Sequence, residues 1–251
     1  MPPTCYHAIK LPLDIQRPNE NVDREWVQKR IEYFIRYTLQ SLREQTSQDF
    51  KIWIFGNALN HDLHRSYDEL KDCLFVYDQG QKITATLSED FLLLTRLDSD
   101  DLFHCDAIAE VRRKVQLSGG MEFLVWRQHY VWDTRNAILG THFHESPPFV
   151  TQVFPKEAYR NTQKFVDISW VHHGKLGGRR LDAVELDPYK VCITKHNVNM
   201  SILRTMRKKG QAELDPLIST GVKKRLFQMG RLTSIDPVEI KEILQEFGVH
   251  A

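Results

Sequence analysis

The sequence predicts an α/β protein with a mixed central sheet flanked by helices, followed by a helical C-terminal tail. In the first half of the chain, short apolar runs alternate with stretches of helical periodicity, which is typical of a parallel sheet with helices on both faces. In the second half, apolar runs follow one another without a long helix between them, which favours a mixed or antiparallel extension of the sheet. The last residues carry the start and stop signals of one amphipathic helix.

The first elements of the chain are predicted to form a βαβ unit. Residues 6–13 mix apolar and polar side chains and are interpreted as the first strand. From Asp23 onward, apolar residues recur at spacings of three and four, which indicates a long amphipathic helix with Asp23 as its N-cap. The apolar residues 50–55 then provide a second strand, which ends at Gly56 and Asn57. This order is typical of a parallel strand pair with a crossover helix.

The later elements follow from the same two periodicities, helical and alternating. Up to residue 117 we expect a helix over residues 61–72, strands over residues 73–77 and 91–97, and a helix over residues 107–117. Beyond residue 117 we expect strands over residues 123–132, 149–154 and 189–194 and a weak helix over residues 156–165. Loops are expected over residues 140–148 and 170–180, and short basic helices or turns over residues 201–209 and 222–229. The strand over residues 189–194 is expected to be the last.

The end of the chain has the clearest helix signals. Asp236 is the expected N-cap, Pro237 stands at the first helical position, Glu239 stands at the third, and Gly248 ends the helix. No repeat, low-complexity tract or linker interrupts the sequence. We therefore expect residues 1–205 to form the main domain and residues 206–251 to form a helical extension packed on it.

Three carboxylates stand at the end of the apolar strand over residues 91–97. Asp98, Asp100 and Asp101 would repel one another and would be costly to desolvate without a cation or a set of hydrogen-bond donors among them. A divalent metal ion meets this need, and Mg²⁺ uses one or two protein carboxylates and completes its shell with water and substrate phosphate. The alternative interpretation is structural, because aspartates are common in turns and as helix N-caps.

Composition bounds the class of protein. The chain has 251 residues, of which 41% are hydrophobic and 27% are charged, and its formal net charge is +1, so no global field attracts nucleic acid or a membrane. The first residues lack the pattern of a secretory signal, and no segment approaches the about 18 apolar residues of a membrane span. The four cysteines are widely spaced, as expected for reduced core cysteines. We expect a soluble, cytoplasmic protein.

Several motifs resemble those of glycosyltransferases. The aspartate motif TRLDSDD is similar to the DxD motif of GT-A glycosyltransferases, in the version of the rhamnosyltransferase family. Downstream, residues 195–201 resemble the H…N.S segment of that family. The upstream matches are Trp26, Arg30, Phe34, Thr38, Ser41, Leu42, Gln45, Thr46 and Phe50. The resemblance covers residues 26–201 and implies a GT-A-like, Rossmann-like fold.

The resemblance also implies an activity. Such enzymes are metal-dependent hexosyl- or pentosyltransferases that move a sugar from a nucleotide-diphosphate donor to an acceptor hydroxyl. Their aspartates hold Mn²⁺ or Mg²⁺ against the diphosphate, a role that falls here to Asp98, Asp100 and Asp101, and a later histidine, here His196, adds a ligand. Imidazole favours Mn²⁺ over Mg²⁺. The implied donor is a UDP-, GDP- or dTDP-sugar, and the identity of its nucleobase stays open. A mechanism that inverts the configuration of the transferred sugar is favoured over one that retains it.

Basic side chains are expected to complete the donor site. Cations stabilise the negative charge that grows on a departing diphosphate. The candidates are Arg96, Lys175, Arg179, Arg180 and Lys195, and Asp98 is also expected to contact the donor. The alternative interpretation makes Lys175 and Arg179 part of a solvated basic loop and makes Arg96 a structural counter-ion of the aspartates.

An inverting transfer also needs a carboxylate that takes the proton of the acceptor hydroxyl. The catalytic candidates are Asp167, which precedes an apolar stretch, and Asp101 within the aspartate motif. The alternatives for this base are Glu145, Glu157, His172 and His173.

Two other functions stay open at this point. Metal-dependent nucleotidyl or phosphoryl transferases also use acidic strand ends, and a protein of the same fold could bind sugar nucleotides without catalysis. The acceptor is expected to be a saccharide or glycoconjugate, while basic clusters over residues 204–209 and 223–225 leave a DNA acceptor open. No transmembrane segment is predicted, and the sequence indicates no oligomeric state.

Overall fold

The strands and helices of the chain are taken from a computed structural model, which describes residues 2–14, 23–117, 120–145, 147–169, 183–196, 232–234 and 236–250. The strands are β1 (Cys5–Pro12), β2 (Lys51–Phe55), β3 (Leu74–Val76), β4 (Phe91–Arg96), β5 (Leu102–Phe103), β6 (Glu122–Val125), β7 (Gln128–Asp133), β8 (Ile138–Phe143), β9 (Val150–Pro155), β10 (Val184–Glu185), β11 (Val191–Lys195) and β12 (Leu232–Ser234). The helices are α1 (Arg24–Tyr33), α2 (Leu39–Arg43), α3 (His61–Arg65), α4 (Gln81–Thr86), α5 (Ala107–Lys114), α6 (Lys156–Arg160), α7 (Thr162–Ser169) and α8 (Pro237–Gln245).

The larger sheet has the order β10-β6-β9-β4-β1-β2-β3. Its strands β3, β2, β1 and β4 are parallel, and β9 runs antiparallel between β4 and β6. Helices cover both faces, because Leu93 packs in one apolar cluster with residues of α1 and α5, whereas Leu92 and Leu94 pack in another with residues of α6 and α7. Burying each such leucine contributes about 1.5–3 kcal/mol. The predicted mixed α/β sheet is therefore confirmed.

The helix predicted from Asp23 begins as expected. The Asp23 carboxylate accepts a hydrogen bond from the backbone N–H of Trp26 at 2.7 Å, which satisfies one of the free donors of the first turn. The helix continues from α1 through one wide π-helical segment, Phe34–Thr38, into α2. Its apolar side is buried against the sheet and contains Val27, Ile31, Phe34 and Leu42.

The smaller sheet was not predicted as a separate unit. It has the order β12-β8-β7-β11-β5 and carries α8 on one face, where Ile240, Leu244 and Phe247 pack against Leu102 and Leu139. The C-terminal helix itself is confirmed, with Asp236 accepting from the backbone N–H of Val238 and Gly248 in the left-handed region at φ 70°.

Three predictions in this region were wrong. The single strand over residues 123–132 is two strands, β6 in the larger sheet and β7 in the smaller one. The loop predicted over residues 140–148 begins inside strand β8, and the strand over residues 189–194 is followed by β12. Alternation of apolar residues does not report which sheet a strand joins, and the glycine and histidine of β8 weakened its pattern.

The helical predictions differ from the structure mainly in length. The helix predicted over residues 61–72 ends with α3 and a short 3₁₀ turn, the weak helix over residues 156–165 is the pair α6 and α7, and α4 was missed. The loop predicted over residues 170–180 and the basic helices over residues 201–209 and 222–229 lie outside the described residues. No helix in the described ranges combines the length and apolarity that crossing a membrane requires.

Candidate functional site

The aspartate motif lies where the chain passes from the larger sheet to the smaller one. Strand β4 is buried from Phe91 to Thr95 and ends at Arg96. A turn follows, in which the backbone N–H of Asp101 donates to the carbonyl of Asp98 at 2.9 Å, and the chain then enters β5. Strand β5 pairs with β11, so the carboxyl end of β4 meets the carboxyl end of β11.

Asp100 is buried and carries two basic neighbours. Its Oδ2 accepts a hydrogen bond from Arg30 Nη1 at 3.0 Å and lies 3.3 Å from Nε2 of His196. Burial alone would raise the pKa of Asp100, but the Arg30 guanidinium and His196 outweigh it and hold the pKa well below its usual range. Asp100 is therefore ionised at neutral pH, and the protein itself supplies part of its counter-charge.

Arg30 joins three parts of the chain around this carboxylate. From the buried side of α1, its Nε donates to the carbonyl of Leu13 at 3.1 Å and its Nη2 donates to the hydroxyl of Ser99 at 3.0 Å. The guanidinium also lies over the Trp26 ring, 5.5 Å from its centroid. These contacts fix the position of Asp100 relative to β1 and α1.

Asp101 has the opposite electrostatic environment. Its Oδ1 accepts a hydrogen bond from the backbone N–H of Thr194 at 2.9 Å, which fastens the turn to β11. Burial and the neighbouring charges of Asp100 and Asp98 raise the pKa of Asp101 well above its usual range, although Lys195 acts in the other direction. Two adjacent aspartates thus hold protons with very different strength.

His196 follows β11 directly and is almost fully buried. Its ring stacks on Tyr33, with centroids 3.7 Å apart and planes 14° apart. Burial lowers the pKa of His196, and the nearby Asp100 offsets part of this shift. At neutral pH the imidazole is therefore uncharged, which is the form that binds a metal ion.

Asp98 and Arg96 form the half-exposed side of the site. Arg96 donates to Oδ1 of Asp98 from Nε at 3.1 Å and from Nη2 at 2.9 Å. Lys10, the neighbour of Arg96 across the parallel strands, is buried and donates to the carbonyl of Ser169 at the end of α7. Arg96 and Asp98 are therefore ion-paired in this structure.

The structure brings most of the predicted site residues together. Asp98, Asp100, Asp101, Arg96, Lys195 and His196 lie around the turn between β4 and β5. Asp167 does not join them: its side chain is exposed on α7 and accepts a hydrogen bond from Gln163 one turn earlier at 2.7 Å. Lys175 and Arg179, with the alternative bases His172 and His173, lie outside the described residues. The functional roles of all these residues stay predictions.

The predicted metal ligands fit an ion in part. Two ligand atoms at right angles around an octahedral ion, each at about 2.0–2.1 Å from it, lie about 3 Å apart. The 3.3 Å between Asp100 Oδ2 and His196 Nε2 matches this separation. The three aspartates do not, as a set, bring ligand atoms within 4.8 Å of one another in the described part of the chain. Asp100 and His196 are therefore the pair that would hold the ion.

A second group of ligand-type residues is a poorer candidate. His104, Cys105 and Asp106 offer ligand atoms within 4.8 Å of one another. However, Lys190 Nζ lies 3.0 Å from Nδ1 of His104 and 3.8 Å from Asp106, so an ammonium group already provides the positive charge there.

Sequence reasoning missed two features of this edge of the larger sheet. The role of Arg30 was missed, although an arginine on the apolar side of a helix was the available signal. Asp14, directly after β1, is also buried, accepts a hydrogen bond from the backbone N–H of Asn57 at 2.8 Å, and lies 3.3 Å from Nε2 of His64. A buried, partnered carboxylate of this kind fixes the ends of β1 and β2 relative to each other.

Comparison with known proteins assigns no family. No protein-family model and no curated protein matches the chain. Among solved structures, it is similar to the inositol-1-phosphate CTP transferase from T. maritima, with 12% identity over 82% of this chain and 96% of that chain and a TM-score of 0.39. It is also similar to the bifunctional IspDF from Campylobacter jejuni, with 8% identity over 81% of this chain and 54% of that chain and a TM-score of 0.38.

A third similarity is to the glycosyltransferase GlyE in Streptococcus pneumoniae, with 12% identity over 89% of this chain and 51% of that chain and a TM-score of 0.35. The chain thus spans about half the length of both IspDF and GlyE. Similarities of this size assign neither a family nor an activity. The α/β architecture follows from the strands and helices described above.

Proposed function

We propose that the chain is a metal-dependent transferase that moves a sugar from a nucleotide-diphosphate donor to an acceptor hydroxyl. The observation that supports this most is the approach of Asp100 and His196 to 3.3 Å, because the two residues come from two separate segments of the pattern that resembles the rhamnosyltransferase family. A saccharide or glycoconjugate is the proposed acceptor. Mn²⁺ is the proposed ion, because one of the two ligands is an imidazole.

The residues around the turn have separate roles in this proposal. Asp100 and His196 would hold the ion, which neutralises charge on the diphosphate leaving group when it is bound. Arg30 keeps Asp100 ionised and in place through its contact at 3.0 Å. Arg96 and Lys195 would bind the phosphate oxygens, because both are basic, half-buried and close to the aspartates. Lys175 and Arg179 are proposed for the same task from the sequence alone.

Asp101 is the proposed proton acceptor for the acceptor hydroxyl. A general base works best when its pKa lies near the working pH, and burial together with two neighbouring carboxylates raises the pKa of Asp101. Asp167 is the second candidate for this role, and its exposed side chain would have to leave Gln163 to act.

The proposal is tested first by binding. Thermal unfolding is measured with UDP-, GDP- and dTDP-sugars, each with and without Mn²⁺, because a ligand of the native state raises its stability. One sugar nucleotide is expected to raise Tm only when Mn²⁺ is present. Asp100→Asn should abolish this rise, and Asp106→Asn, an exposed carboxylate outside the site, should leave it unchanged. A rise retained in Asp100→Asn would contradict the proposal.

The reaction is then identified by its products. Glycosyl transfer releases a nucleoside diphosphate, whereas nucleotidyl transfer from a nucleoside triphosphate to a sugar phosphate releases pyrophosphate. We expect the first product and a loss of turnover in Asp101→Asn with donor binding retained. Release of pyrophosphate alone would replace glycosyl transfer by the nucleotidyl alternative.

A further inference from the structure

Three histidines lie on one face of the smaller sheet, outside the aspartate site. Strands β7 and β8 are antiparallel, and His129 of β7 is directly opposite His142 of β8. His144 follows His142 by two residues, and its backbone N–H donates to the carbonyl of Arg127, which continues the pairing of the two strands. Because side chains two residues apart share a face of a strand, all three imidazoles are on the same side of the sheet.

The rings are close to one another. The centroids of His129 and His142 are 5.2 Å apart, and those of His142 and His144 are 6.0 Å apart. His142 and His144 are half-buried, so the group can be reached from solvent on their side.

His129 is fully buried, with 0% of its surface exposed. The backbone of Arg127 lies near its ring, but neither ring nitrogen makes a hydrogen bond of regular geometry to a residue that the structure describes. Buried polar groups are almost always satisfied, because leaving one without a partner costs roughly 1–3 kcal/mol. Its ring contacts are with His142 and the edge of Phe149, 5.5 Å away. A ligand for the imidazole would account for its place in the sheet.

We propose that His129, His142 and His144 form a binding site for a zinc-type transition-metal ion. Two imidazoles that bind one tetrahedral zinc ion at about 2.0–2.1 Å have ring centroids about 5 Å apart, which is close to the separation of His129 and His142. Three histidines with one open position make a recognised zinc ligand set. The nitrogen atoms do not yet all lie within 4.8 Å of one another, so the rings must turn about χ2 to point at one ion.

The charges around the histidines are compatible with this site. Burial and the two neighbouring histidines lower the pKa of His129 to about 3, so its imidazole is neutral and able to bind a metal. The guanidinium of Arg127, opposite His144, already has partners: it donates to Oε2 of Glu185 at 3.1 Å and to the carbonyl of Glu145 at 3.3 Å. Lys195, on the neighbouring strand β11, is the nearby ammonium group that opposes the ion.

The proposal is tested with Co²⁺, which replaces zinc and has visible absorption bands that are strong in tetrahedral coordination. The full chain is titrated with Co²⁺ alone, and Zn²⁺ is then added as a competitor. We expect tetrahedral bands that Zn²⁺ abolishes. The double variant His142→Ala/His144→Ala should lose them, with affinity lowered by about 100-fold or more, because even loss of a residue behind the ligands costs about 10–100-fold.

The controls separate this site from other candidates. His104→Ala should keep the bands, which excludes the group of His104, Cys105 and Asp106. Asp100→Asn should also keep them, so the result is independent of the proposed transferase site. Because both substituted histidines are half-buried, the double variant should fold, and circular dichroism checks this; if it does not fold, His144→Gln is used instead. Absence of the bands in the natural chain, or their persistence in the folded variant, would overturn the proposal.

Discussion

The two sheets differ in what they bury. Strand β4 of the larger sheet is apolar through Leu94 and is covered by helices on both faces. Strand β7 of the smaller sheet alternates between buried and half-buried residues, and its buried positions include His129 and Asp133. The larger sheet thus supplies most of the apolar core, and each sheet buries a histidine, His7 in β1 and His129 in β7, whose pKa burial lowers.

The candidate site depends on both sheets. The carboxylates of Asp100 and Asp101 follow the central strand of the larger sheet, but their partners come from α1 and from β11 of the smaller sheet. Arg30 holds one carboxylate and the backbone of Thr194 holds the other. The pKa values of the two carboxylates shift in opposite directions because Asp100 has the Arg30 guanidinium beside it, whereas Asp101 has the charges of Asp100 and Asp98 beside it.

The largest expected effect follows from removing the link between Asp100 and α1. Arg30→Met leaves a buried carboxylate without its guanidinium, which should lower the free energy of unfolding by about 3–5 kcal/mol. Denaturant unfolding measures this change. Arg24→Met is the matched control, because Arg24 and Asp62 form an exposed pair at 2.8 Å and such pairs contribute less than about 1 kcal/mol.

A second variant checks the cause of this loss. If the buried charge is responsible, adding Asp100→Leu to Arg30→Met should restore part of the lost stability. Equal losses in Arg30→Met and Arg24→Met would show that Arg30 does not couple the two regions.

The next effect compares one buried histidine from each sheet. Burial lowers the pKa of His7 in β1 to about 3, and Arg112 makes a smaller contribution. Burial also lowers the pKa of His129 in β7 to about 3, and His142 and His144 make smaller contributions. In the unfolded chain the pKa is about 6.5. The unfolded state therefore binds more protons between these values, so stability is complete above pH 6.5 and is lost as the pH falls towards 3.

This loss can be assigned to single residues. Lowering the pH from 7 to 4 should cost on the order of 3 kcal/mol for each histidine, since one pKa unit corresponds to about 1.4 kcal/mol. His7→Leu and His129→Leu should each remove one such contribution from unfolding curves measured at several pH values. A variant whose pH dependence still matches that of the natural chain would refute the assignment for that sheet.

The smallest effect tests the packing at the carboxyl edge of the larger sheet. A Cβ added at Gly56 would lie 2.7 Å from Cε1 of His64 and 2.9 Å from Oδ1 of Asp14, so Gly56→Ala should cost about 1–3 kcal/mol. Gly120→Ala is the control, because nothing in the described part of the chain lies within 4 Å of its added Cβ and the change should stay within about 0.5 kcal/mol. Thermal unfolding of both variants measures the difference, and equal Tm values would contradict the crowding at Gly56.

Much of the larger sheet was predictable because its signals are local. The apolar run of β4 and the N-cap at Asp23 each depend on neighbours within a few residues. The division of residues 123–132 between two sheets was not predictable in this way. Strand β6 pairs with β9 and strand β7 pairs with β8, and the alternating pattern is the same whichever partner a strand takes.

The candidate site, like the fold, was predictable from the sequence only in part. By itself, the sequence determined that carboxylates crowd the end of a buried strand and need positive charge nearby, and a resemblance pointed to His196. Only the tertiary structure decided that Arg30 supplies part of that charge. It also decided that the pKa of Asp100 is lowered whereas the pKa of Asp101 is raised. The physical reason is that burial and Coulomb interactions depend on distances between segments far apart in the chain, and no local pattern of residue types encodes those distances.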